Sequence, residues 1–362
     1  NIPRLDYSNG TCPSLLVEPQ RTNLALYSSS FDNVIWGKSK CTISANQTTS
    51  PDGTTNADKL IEDSSTGLHE VYSTTPFSLT VGVAYTKTIY AKSSERTQIS
   101  LNFVTSGFSQ GASVIANLTT GTLGTVNNVG GVTGSTATIT NVGNGWYRIS
   151  ITMTPASTAN FYADFSTALN GAINYTGNGT SGIFIWGAQL EVGSYPTSYI
   201  PTTSASVTRN ADVISKTGIS SLIGQTEGVV FTDFICDGFE DYGTPLSIND
   251  GTASNYIWLT TFANGNIRAE VYNGSVQASI TYTGGVVGQR YKVAFAYKQN
   301  DFVMYVNGTQ IGADASGNVP PSLSRIDYNL VNNWSLALLN VNASALWKTR
   351  LTNTQLAQLT TI

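Results

Sequence analysis

The sequence predicts an all-β protein: two tandem antiparallel β-sandwich (jelly-roll) domains followed by a short C-terminal helix. Three observations carry that prediction. Helical periodicity is almost absent from the 362 residues. Short stretches alternate apolar with polar or small residues, the period-two signature of a half-buried strand. Turn dipeptides recur between them: Gly130-Gly131, Asn144-Gly145, Asn273-Gly274 and Asn307-Gly308. The chain's length suits two domains rather than one.

Composition narrows the function classes. Only 11% of residues are charged, against roughly 25% in an average globular protein. Hydrophobic residues make up 40% and aromatics 10%, enough to fill two cores. A formal net charge of −4 argues against a phosphate-backbone binder, which needs clustered Lys and Arg, so no nucleic-acid partner is expected. No apolar run reaches transmembrane length, and no membrane insertion is expected. No signal peptide is read at Asn1, and the chain is expected to continue a longer N-terminal region. A single histidine, His69, removes most metal-site and His-dependent mechanisms. Cys12, Cys41 and Cys236 are too few for a disulfide framework; Cys12 and Cys41 could pair, and an odd number leaves one over.

Along the chain, residues 1–26 are punctuated by Pro3, Pro13 and Pro19, while Leu15, Leu16, Val17, Leu24 and Leu26 offer apolar surface. This extended segment must lie on a neighbouring domain or another subunit, and a subunit contact is preferred. Residues 27–200 form the first sandwich, with strands at Tyr85–Lys92 and Trp146–Met153. Residues 201–218 read as a linker, announced by the prolines and Ser/Thr cluster from Tyr195 onward. Residues 219–362 form the second sandwich, with a strand at Tyr291–Tyr297. Trp146, Trp186, Trp334 and Trp347 are assigned to packing. The one helix is Thr352–Leu359, capped by Thr352 or Asn353, with Leu356 and Leu359 on one face.

Two catalytic patterns are dismissed on context. Gly107-Phe-Ser-Gln-Gly111 matches the nucleophile elbow, but no helical pattern follows Ser109 and the only histidine precedes it. Gly177-Asn-Gly-Thr-Ser-Gly182 matches a dinucleotide fingerprint, but a strand follows where a helix N-terminus is needed. Glu62-Asp63 and Glu240-Asp241 are adjacent pairs, whose members point to opposite faces of a strand. They do not make the facing carboxylates of a glycosidase, although carboxylates can converge from distant strands. No enzymatic activity is expected.

Binding candidates remain. Asp237, Glu240 and Asp241, with Asp233 and Asp250 nearby, are candidates for a structural calcium, and Asp164 and Glu191 are weaker ones. Sugar C–H faces stack on aromatic rings while hydroxyls pair with polar side chains. Trp36 follows a polar loop and suits a platform. His69 and Tyr72 suit donors beside a sugar. Tyr256 and Trp258 share a face opposite Ile257, with Tyr272 beside them; if Ile257 points inward they are exposed, otherwise they are core.

Longer motifs carry a resemblance. Pro3-Arg-Leu-Asp-Tyr7, Cys12-Pro-Ser-Leu-Leu-Val-Glu-Pro-Gln-Arg-Thr-Asn-Leu24, Val142-Gly-Asn-Gly-Trp-Tyr-Arg148, Ile185-Trp-Gly-Ala-Gln-Leu-Glu-Val192 and Val207-Thr-Arg-Asn-Ala-Asp212 resemble segments of tailed-phage fibre and head-spike proteins. The resemblance implies a carbohydrate-binding-module-like jelly roll in the first half. Gln289–Tyr297, Phe302-Val-Met-Tyr-Val-Asn-Gly308 and Trp347–Leu359 resemble concanavalin A-like or laminin-G-like modules. Together these imply a virion surface protein, a homo-oligomer and preferably a homotrimer, joined to other virion proteins through an N-terminal region. Its implied target is host surface polysaccharide, with a purely structural spike or a polysaccharide depolymerase or esterase as alternatives.

Overall fold

The computed structural model describes residues 4–7, 12–328 and 337–362. Trp334 lies outside the described residues. The chain divides into two compact units, Arg21–Arg209, and Asn1–Gln20 with Asn210–Ile362. Both are antiparallel β-sandwiches, as the alternating pattern predicts.

In the first unit one sheet has six strands, ordered Thr133–Gly143, Trp146–Thr154, Tyr85–Ser93, Gly182–Val192, Ala57–Glu62, Cys41–Thr48. The other carries Gly111–Asn117, Gln98–Thr105, Ala159–Ala168, Glu70–Ser73 and Trp36–Ser39 in sequence across its width. Their facing surfaces bury Ile89, Leu101, Phe103, Ile149, Phe165 and Ile185. Tyr85–Ser93 is buried on both faces rather than one. Its outer side packs Tyr90 against Trp146, Trp186 and Tyr199, so both tryptophans serve packing.

In the second unit a seven-stranded sheet and a six-stranded sheet enclose Val230, Phe234, Ile257, Leu259, Phe295 and Phe302. The helix runs Asn353–Thr360, closed by a capping box between Thr352 and Gln355. Leu356 seats it on Val229, Phe231 and Val303, on the outer face of the seven-stranded sheet, with Trp347 half-buried beside them.

Of the two places expected for the N-terminal segment, a neighbouring domain or another subunit, the chain itself provides the first. Ser14–Val17 pairs with Leu338–Trp347, extending the second unit's own sheet, and Val17 is fully buried in its core. The Arg4 guanidinium bridges Glu18 and Asp212, the Glu18 N–H donates to the Asp212 carboxylate, and the Asp212 N–H donates to the Glu18 carbonyl. Intrachain pairing therefore buries Val17, while Leu15 and Leu16 stay half-buried. Residues 21–26 instead enter the first unit, where Arg21–Asn23 pairs with Val207–Arg209 inside the expected linker. The Tyr195–Pro201 stretch, the other expected subunit contact, is also held within the chain. Tyr195 and Ile200 are buried, and the fully buried Asn23 side chain donates to the Ala188 and Ile200 carbonyls.

Candidate functional site

Most aromatic candidates are spent on structure. Trp36 is buried against Phe31 and Phe165, and its indole N–H donates to the Tyr27 carbonyl. It lines an apolar cleft with Leu24, Ile35, Pro76 and Phe77, but shows no open ring face for a sugar. His69 is fully buried, with Nδ1 2.7 Å from the Lys40 carbonyl oxygen and Nε2 3.2 Å from that of Tyr175. Both nitrogens face the backbone, which removes it as a donor to ligand. Ile257 does point inward, yet Tyr256 and Trp258 on the opposite face are only 5% and 1% exposed. Tyr256 stacks on Tyr272 at 5.1 Å and donates to Glu270, while the Trp258 N–H donates to Thr244. The alternation was right; the inference of exposure was not, because that face is covered too.

The calcium candidates do not converge. Asp237 Oδ2 accepts from Asn340, and Asp241 accepts the Ala263 N–H. Asp233 is paired with Arg290. Among the described residues no group of three or more His, Cys, Asp and Glu side chains is placed to hold a metal ion. The three cysteines are free, Cys41 and Cys236 buried and Cys12 exposed.

Tyr72 lies in a groove of about 460 Å³, on the outer face of the first unit's eight-stranded sheet, the one that carries Glu70–Ser73 and Ala159–Ala168. Period-two alternation builds it. Val71 points into the core, so Glu70 and Tyr72 point out; Ala163 and Phe165 point in, so Tyr162 and Asp164 point out. Register then sets Tyr72 directly opposite Asp164, with Glu70 two pairs along on the same face, opposite Ser166. Residues so related on one face are within side-chain reach. Gly37 sits opposite Tyr72 on the other side, and a Cβ there would lie 2.5 Å from Tyr72 Cζ. The missing side chain makes room for the tyrosine ring.

The groove's end is the Thr105–Gln110 turn. Gly107 and Phe108 both have left-handed backbone, at φ 74° and 56°, and the Phe108 ring is 53% exposed. A bulky residue held at positive φ is unusual and costs energy, as is common where a loop presents a side chain for use. Thr105 Oγ1 ties the turn, 2.9 Å from Ser109 Oγ and accepting the Gln110 N–H. The nucleophile-elbow match is thus a strand-to-strand turn whose serine hydroxyl is engaged with a threonine.

The floor is electrostatically unusual. Asp164 is 6% exposed, and its Oδ1 is buried without a hydrogen-bond partner. Burial pushes its carboxyl up to about 6 against the pull of Lys87. Burial first, then the Asp164 charge, pushes Glu70 up to about 7. Lys87 enters from the opposite sheet through the core, fully buried, and donates to the Asn102 and Asp164 backbone carbonyls. Its ammonium lies 4.0 Å from the Phe165 ring centroid, and burial pushes it down to about 7. Asn102, Ser100 and Ser166 continue a polar floor beside Asp164. Sequence reasoning missed Tyr162, Glu70 and Phe108, and weighed Asp164 only as a minor calcium ligand. The available signal was Phe161-Tyr-Ala-Asp-Phe165, which alternates an aromatic and a carboxylate outward.

No protein-family model and no curated protein sequence matches the chain. Solved structures give distant likenesses. A sialidase-associated module from Ruminococcus gnavus, solved bound to α2,3-sialyllactose, is 12% identical and covers 41% of this chain and 96% of its own, with a TM-score of 0.35. The mouse laminin α1 chain domains LG4-5 are 11% identical, covering 78% of this chain and 86% of theirs, at 0.29. The NanB sialidase of Streptococcus pneumoniae is 15% identical over 40% of this chain, at 0.35. This chain spans about a quarter (26%) of that sialidase's length.

Proposed function

We propose that the chain is a saccharide-recognition protein whose binding site is the Tyr72–Tyr162–Asp164 groove, displayed on a virion surface to attach to host polysaccharide. One observation carries the site: two tyrosines line a groove whose floor presents a buried carboxylate oxygen with no partner. Tyrosine rings offer apolar faces to sugar C–H groups, and an unpartnered carboxylate oxygen is an acceptor in need of a hydroxyl or amine. The virion setting is supported by the fibre-like motifs, and display on an oligomer would multiply weak single-site affinity. The facing carboxylates Glu70 and Asp164 favour a second reading, hydrolysis of a glycosidic bond with Glu70 as the acid.

The test is retention of fluorescent full-length protein on an array of bacterial surface polysaccharides and their oligosaccharides. Wild type is expected to be retained on a subset and Tyr162→Ala to lose that retention. Equal retention of both proteins, or none on any glycan, refutes the proposal. Release of reducing ends from a retained glycan would move the assignment to hydrolysis.

A further inference from the structure

The groove's lining constrains its ligand beyond "a saccharide", a constraint that rests on the saccharide reading of the groove. Among the described residues that line it are two carboxylates, Glu70 and Asp164, and no lysine or arginine. The cation that acts on both carboxylates, Lys87, faces the core and donates to backbone carbonyls on the far side of the sheet, where a ligand cannot reach it, and Lys38 on the neighbouring strand is held by the Asp32 and Asn33 carbonyls. Two carboxylates against one buried ammonium leave one negative charge without a counterpart. Tyr72, Tyr162 and Phe108 surround it with aromatic rings, whose faces are also negative. Asp164, whose Oδ1 is buried and unpartnered, lines this space.

We infer that the saccharide this groove selects carries a free, protonated amino group: an amino sugar that is not N-acylated. An ammonium supplies several N–H donors and the missing positive charge at once, and is attracted by the ring faces. A neutral hydroxyl would satisfy one oxygen and leave the like charges of Glu70 and Asp164 facing each other. An acidic sugar would bring a third carboxylate with no cation to receive it, which costs affinity. The preference has a pH signature. Glu70 and Asp164 are pushed up to about 7 and about 6, so both carry charge only from neutrality upward. Lys87 loses charge across the same range, which deepens the negative potential as pH rises. The amine is protonated at the acid end, so a gain in affinity from acid to neutral pH must come from the protein.

The experiment is isothermal titration of the full chain with β-1,4-linked glucosamine hexamer, its N-acetylated counterpart and a galacturonate hexamer. It is run at about pH 5 and about pH 7 in roughly 150 mM salt, which screens long-range attraction. The expected result at neutral pH is a preference of about tenfold or more for the free amine over the N-acetylated form, and no galacturonate binding. That preference should shrink at pH 5. Glu70→Gln, whose amide keeps the shape of this half-buried side chain, should abolish that preference in a variant shown by melting to be folded. Equal or tighter binding of the N-acetylated form overturns the amine inference and leaves the saccharide reading standing. An amine preference that survives in both Glu70→Gln and Asp164→Asn also overturns it, because the attraction then lies elsewhere. Failure of these hexamers and of every glycan on the array removes the saccharide reading itself.

Discussion

Replacing Asp164 by Asn isolates the electrostatic strain under the groove. The folded carboxyl is raised from 3.8 to about 6, chiefly by burial. Between those values the folded chain holds a proton that the unfolded chain has released, so stability falls as pH rises through the window and is level above it. At ~1.4 kcal/mol for each pH unit between the two values, the loss is at most about 3 kcal/mol. Asn keeps the shape of the protonated acid and does not titrate. Carboxylates remote from Asp164, such as Asp233 held down by Arg290 and Asn342, pull the opposite way but are common to both proteins and cancel in the difference; Glu70 and Lys87 both feel the Asp164 charge, and its removal lowers the value of each. The assay is calorimetric melting of wild type and Asp164→Asn at about pH 4 and about pH 7.5. The difference in Tm should move in favour of the variant by up to roughly 6–12 °C for a unit of this size. A difference that stays constant across the window refutes the argument that burial raises this carboxyl.

Three more outcomes are expected from the same geometry. Gly37→Ala puts a Cβ 2.5 Å from the Tyr72 ring at a position of ordinary backbone geometry; it should displace the ring and weaken saccharide binding about three- to tenfold, with stability by denaturant melt changing by under about 1 kcal/mol. Trp258→Ala removes a 1%-exposed indole and leaves the Thr244 hydroxyl without its donor; it should cost about 3–5 kcal/mol in urea unfolding while array retention of the folded fraction is unchanged. Cys41 is pushed up to about 12 by burial and Cys236 is raised further, so native iodoacetamide treatment with peptide mass mapping should modify the exposed Cys12 and spare the others.

The strands, the hairpin turns and the capped C-terminal helix were legible because each is local: alternation, Asn-Gly and Thr-x-x-Gln are read within a few residues. Pairing across the chain was not. Leu15 to Val17 advertise a sticky segment, but nothing local says that Leu338–Trp347 receives it. The motifs that carry the fibre resemblance encode buried polar clamps, with Asn23 gripping Ala188 and Ile200 and Glu18 sharing Arg4 with Asp212. Tyr256 and Trp258 show the limit of alternation: it gives which face, and burial of that face depends on what else packs there. Tyr72 was found and its partners were not, since Glu70 and Asp164 meet only through the register of two distant strands. Lys87, a lysine in an otherwise half-apolar strand, reads as solvent-facing until the opposite sheet's carbonyls appear above it.

Whether this groove is the saccharide site is decided by calorimetric titration of the strongest array glycan into wild type and into a Tyr72→Ala/Tyr162→Ala double variant, both shown by melting to be folded. Loss of the two rings should weaken binding by at least about tenfold, since each stacked aromatic is worth ~0.5–1.5 kcal/mol beyond its buried area. Unchanged affinity in the folded double variant would contradict the assignment.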